Sequence, residues 1–301
     1  MKQNKKNPSF LRFLTSLTMC AGMFLLIITM QNKAIGQTIL KSEDAVSGTF
    51  ETGMLLETQT IETPFAKEFE FQIHHRFGLV ENGFEDVFGL YAPSNIRLGL
   101  NYGITDDIMV GYGYTKDFKL QEFHGKWHFL EQTESNKIPV SIAFYGNIAI
   151  DSRKKAAFGS SYSFSDRISY FSQLIIAHKI NDDFSVQIAP SFTHFNKTDT
   201  LMEHDEVAIT FSGRAKITPS TAFIVEYDQP LHIAKFREYN KLHFKTENNL
   251  SFGLEIGTST HVFQVFATNY NKITPQKNVI QNTNDFTDGD FLLGFNILVR
   301  F

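Results

Sequence analysis

Charged and amide side chains recur at every second position in several segments of this 301-residue chain, as at Glu70, Gln72, His74 and Arg76. Residues two apart on a β-strand share one face. A face that carries both signs of charge can bind a charged solute, line an aqueous passage, or neutralise itself as an internal network. The residues predicted to line such an interior are Arg76, Arg97, His74, Glu70, His124, Lys126, His128, Glu226 and Arg214.

Two of these residues, Arg76 and Arg97, are expected near the same ends of adjacent strands, across the segment 78–94. Neighbouring guanidinium groups repel unless an anion or a carboxylate lies between them. That segment contains Glu81, Glu85 and Asp86, which are the carboxylates expected to pair with the two arginines. A structural clamp is therefore the favoured interpretation, and an anion-selecting constriction is the alternative.

The histidine spacing does not predict a metal site. His74 and His75 point to opposite faces, and His124 and His128 are about 13 Å apart along one strand, whereas ligands must lie about 2 Å from one ion. A site assembled from different strands stays open. The sequence contains no His-x-Ser pair, the arrangement expected of a barrel lipase. The charged run 203–206 is interpreted as a solvated rim of the barrel and not as a catalytic group. We expect no cofactor, no metal and no enzymatic activity.

The elements that must position these residues are strands. From Glu68 onward, twelve segments of about ten residues alternate apolar and polar side chains, which is typical of the wall of a transmembrane barrel. Short connections alternate with long ones, and in such barrels short turns face the periplasm and long loops face outward. The sequence thus predicts an all-β, antiparallel up-and-down barrel of 12 strands over residues 68–301. A 14-strand barrel, with an extra pair in 232–245, is the alternative.

The last predicted strand, 291–301, places six apolar residues on one face and ends on an aromatic residue. This pattern is typical of the signal that the outer-membrane assembly machinery reads. The residues assigned to the signal are Phe301, Val299 and Ile297.

The first 36 residues have the pattern of a cleaved signal peptide, with basic residues, an apolar stretch over 13–30 and small residues at 34–36. An uncleaved membrane anchor and a lipoprotein at Cys20 are the alternatives. Residues 37–67 are then a periplasmic or lumen-entering segment. Without residues 1–36 the chain has 23 basic and 32 acidic residues, a net charge of −9, which does not favour a nucleic-acid partner. Cys20 is the only cysteine, so no disulfide framework is expected.

Two stretches, H-R-F-G at 75–78 and R-L-G-L-N-Y-G-I-T-D at 97–106, resemble an uncharacterised family of outer-membrane β-barrel proteins that is defined by a domain of unknown function. The resemblance runs from about residue 50 to the end. It implies a barrel, and it implies no activity and no site residue.

These patterns favour a passive channel or small-solute transporter in the cell outer membrane. The alternative is a filled barrel that binds a partner through its outer loops, and a barrel enzyme acting on lipid or peptide is least favoured. The expected partners are outer-membrane lipid, the barrel assembly machinery and a small solute, and the expected state is a monomer.

Overall fold

The computed structural model describes residues 44–198, 203–231, 233 and 246–301. The predicted signal peptide, residues 1–36, lies outside these residues and stays a prediction. Among the described residues, no helix has the length and hydropathy to cross a bilayer.

Twelve strands in the described part of the chain form one closed antiparallel barrel, which confirms the predicted fold. They follow the chain order around the wall. They are β3 (Phe69–Leu79), β4 (Asn95–Gly103), β5 (Ile108–Thr115), β6 (Leu120–Leu130), β7 (Ser141–Asp151), β8 (Ile168–Lys179), β9 (Phe184–Phe195), β10 (Asp205–Thr218), β11 (Thr221–Leu231), β12 (Asn249–Gly257), β13 (His261–Thr268) and β14 (Leu292–Arg300), and a short pair, β1 (Met54–Leu55) and β2 (Thr58–Gln59), precedes them.

The barrel closes where β14 pairs with β3, in a register that places Arg300 opposite Glu70 and Ile297 opposite Ile73. The Arg300 Nε atom lies 3.0 Å from the Glu70 carboxylate across this junction, which we call the seam. Phe301 continues the pairing, because its N–H and C=O both bond to the main chain of Phe69 at 3.0 and 2.9 Å. The closed ring leaves no strand edge exposed, as a bilayer interior requires.

The alternation of side chains explains why these segments form a membrane wall. Along β3, even-numbered residues from Glu70 to Arg76 are buried inside, whereas Phe69, Phe71 and Ile73 face outward. Outward apolar side chains elsewhere are also exposed, including Phe123 at 52% and Val265 at 59%. Such a surface is an aggregation hazard in water and is the expected surface in hydrocarbon.

The connections also follow the predicted pattern. One end of the barrel, which we call the short-turn end, has tight connections such as 104–107 and 219–220, and the other, the long-loop end, has connections such as 80–94 and 152–167. The alternative of an extra strand pair in 232–245 falls almost wholly outside the described residues. However, β11 pairs directly with β12 from Thr221 opposite Ile256 to Asp228 opposite Asn249, so no further strand enters the wall there.

Two segments fill the lumen. Residues 50–62, which we call the plug, enter from the short-turn end and form the β1–β2 hairpin, with Leu56 at its tip. From the long-loop end, helix α1 (Pro275–Gln281) lies inside the barrel against β8, β9, β10 and β11. Apolar side chains of both segments, including Leu55 and Val279, join one buried cluster with inward residues of the wall.

Candidate functional site

The wall holds the plug mainly by bonding to its main chain. Lys126 Nζ on β6 donates to the carbonyl oxygens of Gly53 at 2.7 Å and Glu62 at 2.8 Å. Three wall amides do the same for other plug carbonyls. Asn296 donates to the carbonyl oxygen of Leu56 at 2.7 Å, Gln187 to that of Gln59 at 2.8 Å, and Gln264 to that of Met54 at 3.2 Å. The Gly53 carbonyl also accepts the Thr60 N–H at 3.0 Å, so the wall donors add to the hydrogen bonds that the hairpin makes within itself.

Glu226 on β11 supplies the matching acceptor. One oxygen of its carboxylate, Oε2, accepts the N–H groups of Glu57 at 3.1 Å and Thr58 at 2.9 Å. Its other oxygen accepts from the Tyr270 hydroxyl at 3.2 Å. Glu226 is 1% exposed, and no cationic side chain of the described residues lies within 4.0 Å of it. The hairpin turn is therefore anchored by two hydrogen bonds that converge on one buried carboxylate oxygen.

Side-chain ion pairs add to these contacts. The Glu57 carboxylate pairs with Arg76, and both side chains are almost fully buried. Arg214 on β10 contacts Glu51 of the plug at 3.2 Å and Glu255 of the wall at 2.7 Å. A buried ion pair is costly to break from one side, because the remaining charge loses its partner without regaining water.

Arg76 and Arg97 each pair with a carboxylate, as the predicted clamp requires, but neither carboxylate comes from the loop 78–94. Arg76 pairs with Glu57, and Arg97 pairs with Glu122 at 3.0 Å. Glu81 and Glu85 are exposed in the loop instead. Loop geometry explains the difference, because the connection after β3 turns into a short 3-10 helix over 80–85 and leads away from the lumen.

Asp86, the third expected partner, stabilises the loop itself. It accepts from the Asn82 amide at 3.0 Å and the Gly89 N–H at 2.8 Å. These two hydrogen bonds hold the pKa of Asp86 below its usual value.

Arg97 and Glu122 form a second network, which lies within the wall. Glu122 also accepts from Thr115 at 2.9 Å, and Arg97 donates to Gln72 at 3.1 Å. The Arg97 guanidinium fills the space that Gly113 leaves, since a Cβ at that position would lie 2.5 Å from it. Gly113 therefore makes room for the Arg97 side chain.

Gly103 shows the same principle at the short-turn end. A Cβ at Gly103 would lie 2.1 Å from the carbonyl oxygen of Phe65, so the main chain after the plug passes directly over this residue. Only glycine permits so close an approach of two backbones.

The predicted lumen residues occupy the inner face of the wall. Glu70, His74, Arg76, Arg97, His124, Lys126, Arg214 and Glu226 are all buried there. His128 is half-buried near the short-turn end, where its Nε2 lies 3.0 Å from the carbonyl oxygen of Leu130. His124 Nε2 lies 2.8 Å from the Asn101 amide oxygen. That these nine residues line a passage for a solute stays a prediction.

One group of potential metal ligands assembles from different strands and turns. Ligand atoms of Asp107, His128 and Glu131 lie within 4.8 Å of one another, all half-buried. One imidazole and two carboxylates are a donor set that suits zinc and other divalent transition ions. Sequence spacing did not reveal this group, because Asp107 lies in the β4–β5 turn and Glu131 follows the end of β6.

Two cavities lie near the segments that fill the lumen. Between the plug, α1 and the wall there is a cavity of about 20 Å³ beside Glu57, Glu226 and Asp228, which is room for about one water molecule. A larger cavity of about 250 Å³ lies at the long-loop end, between α1 and the ends of β6 to β9. We call it the outer-mouth cavity. Among the described residues, the plug and α1 thus occupy the lumen, and the outer-mouth cavity lies at the long-loop end.

A family model described as "Membrane bound beta barrel domain (DUF5777)" matches residues 50–301. The chain belongs to this family. The match confirms the resemblance seen in the sequence and identifies the protein as a membrane-bound β-barrel. It covers the plug as well as the wall, so both are parts of the family's domain.

Comparison with solved structures finds similar chains at low sequence identity. They include a structure titled "KdgM porin", with 8% identity, a TM-score of 0.44 and coverage of 78% of this chain and 98% of the other. The NanC porin gives 7% identity, a TM-score of 0.47 and coverage of 77% and 98%. LpxR from Salmonella typhimurium gives 10% identity, a TM-score of 0.35 and coverage of 77% and 99%. A search of curated proteins finds no match. At these identities and scores, the resemblances lead to no conclusion about function.

Proposed function

We propose that the protein is a gated small-solute transporter of the outer membrane that rests in a closed state. The observation that carries the proposal is the polar attachment of a separate segment, the plug, to the lumen wall. Long side chains such as Lys126 and Gln187 bond to plug main-chain atoms, and water can take over each of these bonds when the plug moves. The interface also contains Leu55, Leu56 and Ile61 in the apolar cluster, but an interface that was apolar throughout would resist such an exchange more strongly.

The closed state argues against a permanently open pore. A twelve-strand wall encloses more space than its own side chains fill, and this protein fills that space with two further segments. About ten polar contacts of about 1 kcal/mol each hold the plug. Spontaneous release of the whole plug would therefore be rare, and partial opening is the relevant event.

The second candidate function is a filled barrel that binds a surface partner through its long loops. The presence of α1 inside the lumen in addition to the plug favours this alternative, since it closes the barrel from both ends. In either case we propose that the protein is a monomer, is inserted by the barrel assembly machinery, and is not an enzyme. Lipid turnover by the purified protein would refute the last point.

Conductance in planar bilayers tests the gating proposal. The wild-type protein should pass no steady current. Glu57→Lys places an ammonium group against the buried Arg76 guanidinium and should expel the hairpin, because two buried like charges repel strongly. We expect discrete current steps from this variant.

The control is Glu81→Lys, which makes the same charge change on the exposed β3–β4 loop and should stay closed. A second variant that lacks both residues 45–62 and residues 275–281 removes the plug and α1 without introducing a buried charge. If both plug variants keep the native barrel, as judged by heat-modifiable migration, and neither conducts, the transporter proposal is wrong and the interaction barrel remains.

A further inference from the structure

Two of the three potential metal ligands at the short-turn end, His128 and Glu131, lie on one face because β6 contains a β-bulge. Residues three apart on a regular strand point to opposite faces. The pairing of β6 with β7 places His128 opposite Ala143 and Leu130 opposite Ile142. Two residues of β6 thus advance the pairing by one residue of β7. Such a bulge reverses the alternation that follows it, and so it brings Glu131 to the face of His128.

The third ligand, Asp107, is held in position by its own turn and by β6. Its carbonyl oxygen accepts the His128 N–H at 2.8 Å. The Thr105 hydroxyl accepts the N–H groups of Asp107 at 3.2 Å and Ile108 at 3.0 Å. The main chain of the turn is therefore fixed relative to β6, and rigid support of this kind lowers the entropy that binding an ion costs.

The distances and charges of the group suit one divalent ion. The three ligand atoms lie within 4.8 Å of one another. In a tetrahedral site with bonds of about 2 Å the ligand atoms are about 3.3 Å apart, so side-chain rotations that shorten each distance by about 1.5 Å or less are sufficient. Two carboxylates and a neutral imidazole carry two negative charges. All three residues are half-buried, so an ion can reach them from the short-turn end without passing through the lumen.

The turn that carries Asp107 also holds the chain where it leaves the plug. Residues 63–67, which we call the tether, lead from the plug to β3. The main-chain oxygen of Asp106 accepts from the Thr63 hydroxyl at 2.5 Å, and the Asp106 carboxylate accepts the Ala66 N–H at 3.0 Å. An ion bound to Asp107 would therefore fix the turn to which the tether is bonded.

We propose that Asp107, His128 and Glu131 bind a divalent transition metal ion of the zinc class, and that the bound ion stabilises the attachment of the tether to the wall. Zinc binds imidazole nitrogen together with carboxylate oxygen, whereas magnesium prefers six oxygen ligands and gives up its water reluctantly. This site goes beyond the proposed function, because an ion can bind whether or not a solute passes through the barrel.

Isothermal titration of the detergent-solubilised full chain tests the site, with zinc as the probe and magnesium as the matched divalent ion. The protein carries no histidine tag and has Cys20→Ser, so that neither a tag nor the thiol binds zinc. We expect one zinc ion per chain and magnesium binding at least about a hundredfold weaker. Glu131→Gln and Asp107→Asn keep the sizes of the side chains and remove a ligand charge, so each should weaken zinc binding at least about tenfold.

The matched control is Glu134→Gln, since Glu134 is exposed in the β6–β7 turn and is not one of the three ligands. Its zinc affinity should equal that of the wild type. Equal unfolding midpoints without metal would show that Glu131→Gln is folded. No zinc binding by the wild type, equal affinity for zinc and magnesium, or equal loss in Glu131→Gln and Glu134→Gln would overturn the site.

Hydrogen exchange measured by mass spectrometry tests the effect of the ion on the tether. At a zinc concentration about 100 times the Kd, amides that exchange only when the site opens should exchange about a hundredfold more slowly. We expect this slowing for the tether in the wild type and in Glu134→Gln, and none in Glu131→Gln at the same zinc concentration. Zinc binding with unchanged exchange of the tether would refute its stabilisation by the ion.

Discussion

The two hydrogen bonds that converge on Glu226 allow a quantitative test of how the plug is held. Glu226→Gln preserves the size of the side chain and keeps one carbonyl oxygen for the N–H groups of Glu57 and Thr58. The substitution removes the negative charge. A hydrogen bond to a charged group contributes about 1 kcal/mol more than a bond between neutral groups, so the loss over two bonds is about 2 kcal/mol. At 1.4 kcal/mol per factor of ten, local opening of the hairpin should become about thirty times more frequent.

Cysteine labelling measures this opening. Leu56 at the hairpin tip is fully buried, so a cysteine introduced there, in a chain with Cys20→Ser, reacts with a maleimide only when the hairpin opens. When closing is faster than labelling, the labelling rate is proportional to the open population. We expect Glu226→Gln to raise the rate about thirtyfold.

The control is Glu122→Gln, an equally buried wall carboxylate whose partners Arg97, Thr115 and Asn147 all belong to the wall. It should leave the labelling rate unchanged. An unchanged rate in Glu226→Gln would mean that Glu226 holds the hairpin as a neutral acid, and the charge-based reasoning would be refuted. An equal rise in both variants would show a general loosening of the barrel.

Two further predictions concern the short-turn end. Gly103→Ala should lower the free energy of unfolding by about 1–3 kcal/mol, because its Cβ overlaps the Phe65 carbonyl. Urea unfolding in detergent measures this loss. Gly146→Ala, whose Cβ would have no atom nearer than 3.7 Å, should cause no such loss. Zinc should bind the group of Asp107, His128 and Glu131, and His128→Ala should weaken that binding at least tenfold. Equal zinc affinities of the wild type and the variant would exclude the group as a zinc site.

The wall was predictable from the sequence because its signal is local. The period of two along segments such as 69–77 decides which side chains face lipid, and the turn residues between segments set the strand count. The twelve-strand count and the inward position of residues such as His74 and Glu226 follow from these two patterns alone.

The contents of the lumen were not predictable in the same way. Residues 50–62 contain no long alternating segment, and their position depends on partners such as Glu226, which is 169 residues away from Glu57 in the chain. The same holds for the clamp of Arg76, whose partner Glu57 precedes the barrel and does not lie in the adjacent loop. Residue type identifies a charge that needs a partner, but only the fold determines which opposite charge lies within reach.

The seam has a consequence for how the protein is assembled. Arg300 and Glu70 are 230 positions apart in the chain, so their contact joins the first and the last strand of the wall, a pairing of very long sequence separation. Until then β3 and β14 are open edges, and the hairpin that precedes β3 lies beside an incomplete cylinder. If residues 50–62 are enclosed during the final pairing step, they do not need to enter a barrel that is already closed. The order of strand pairing would then determine whether the newly closed barrel contains the plug.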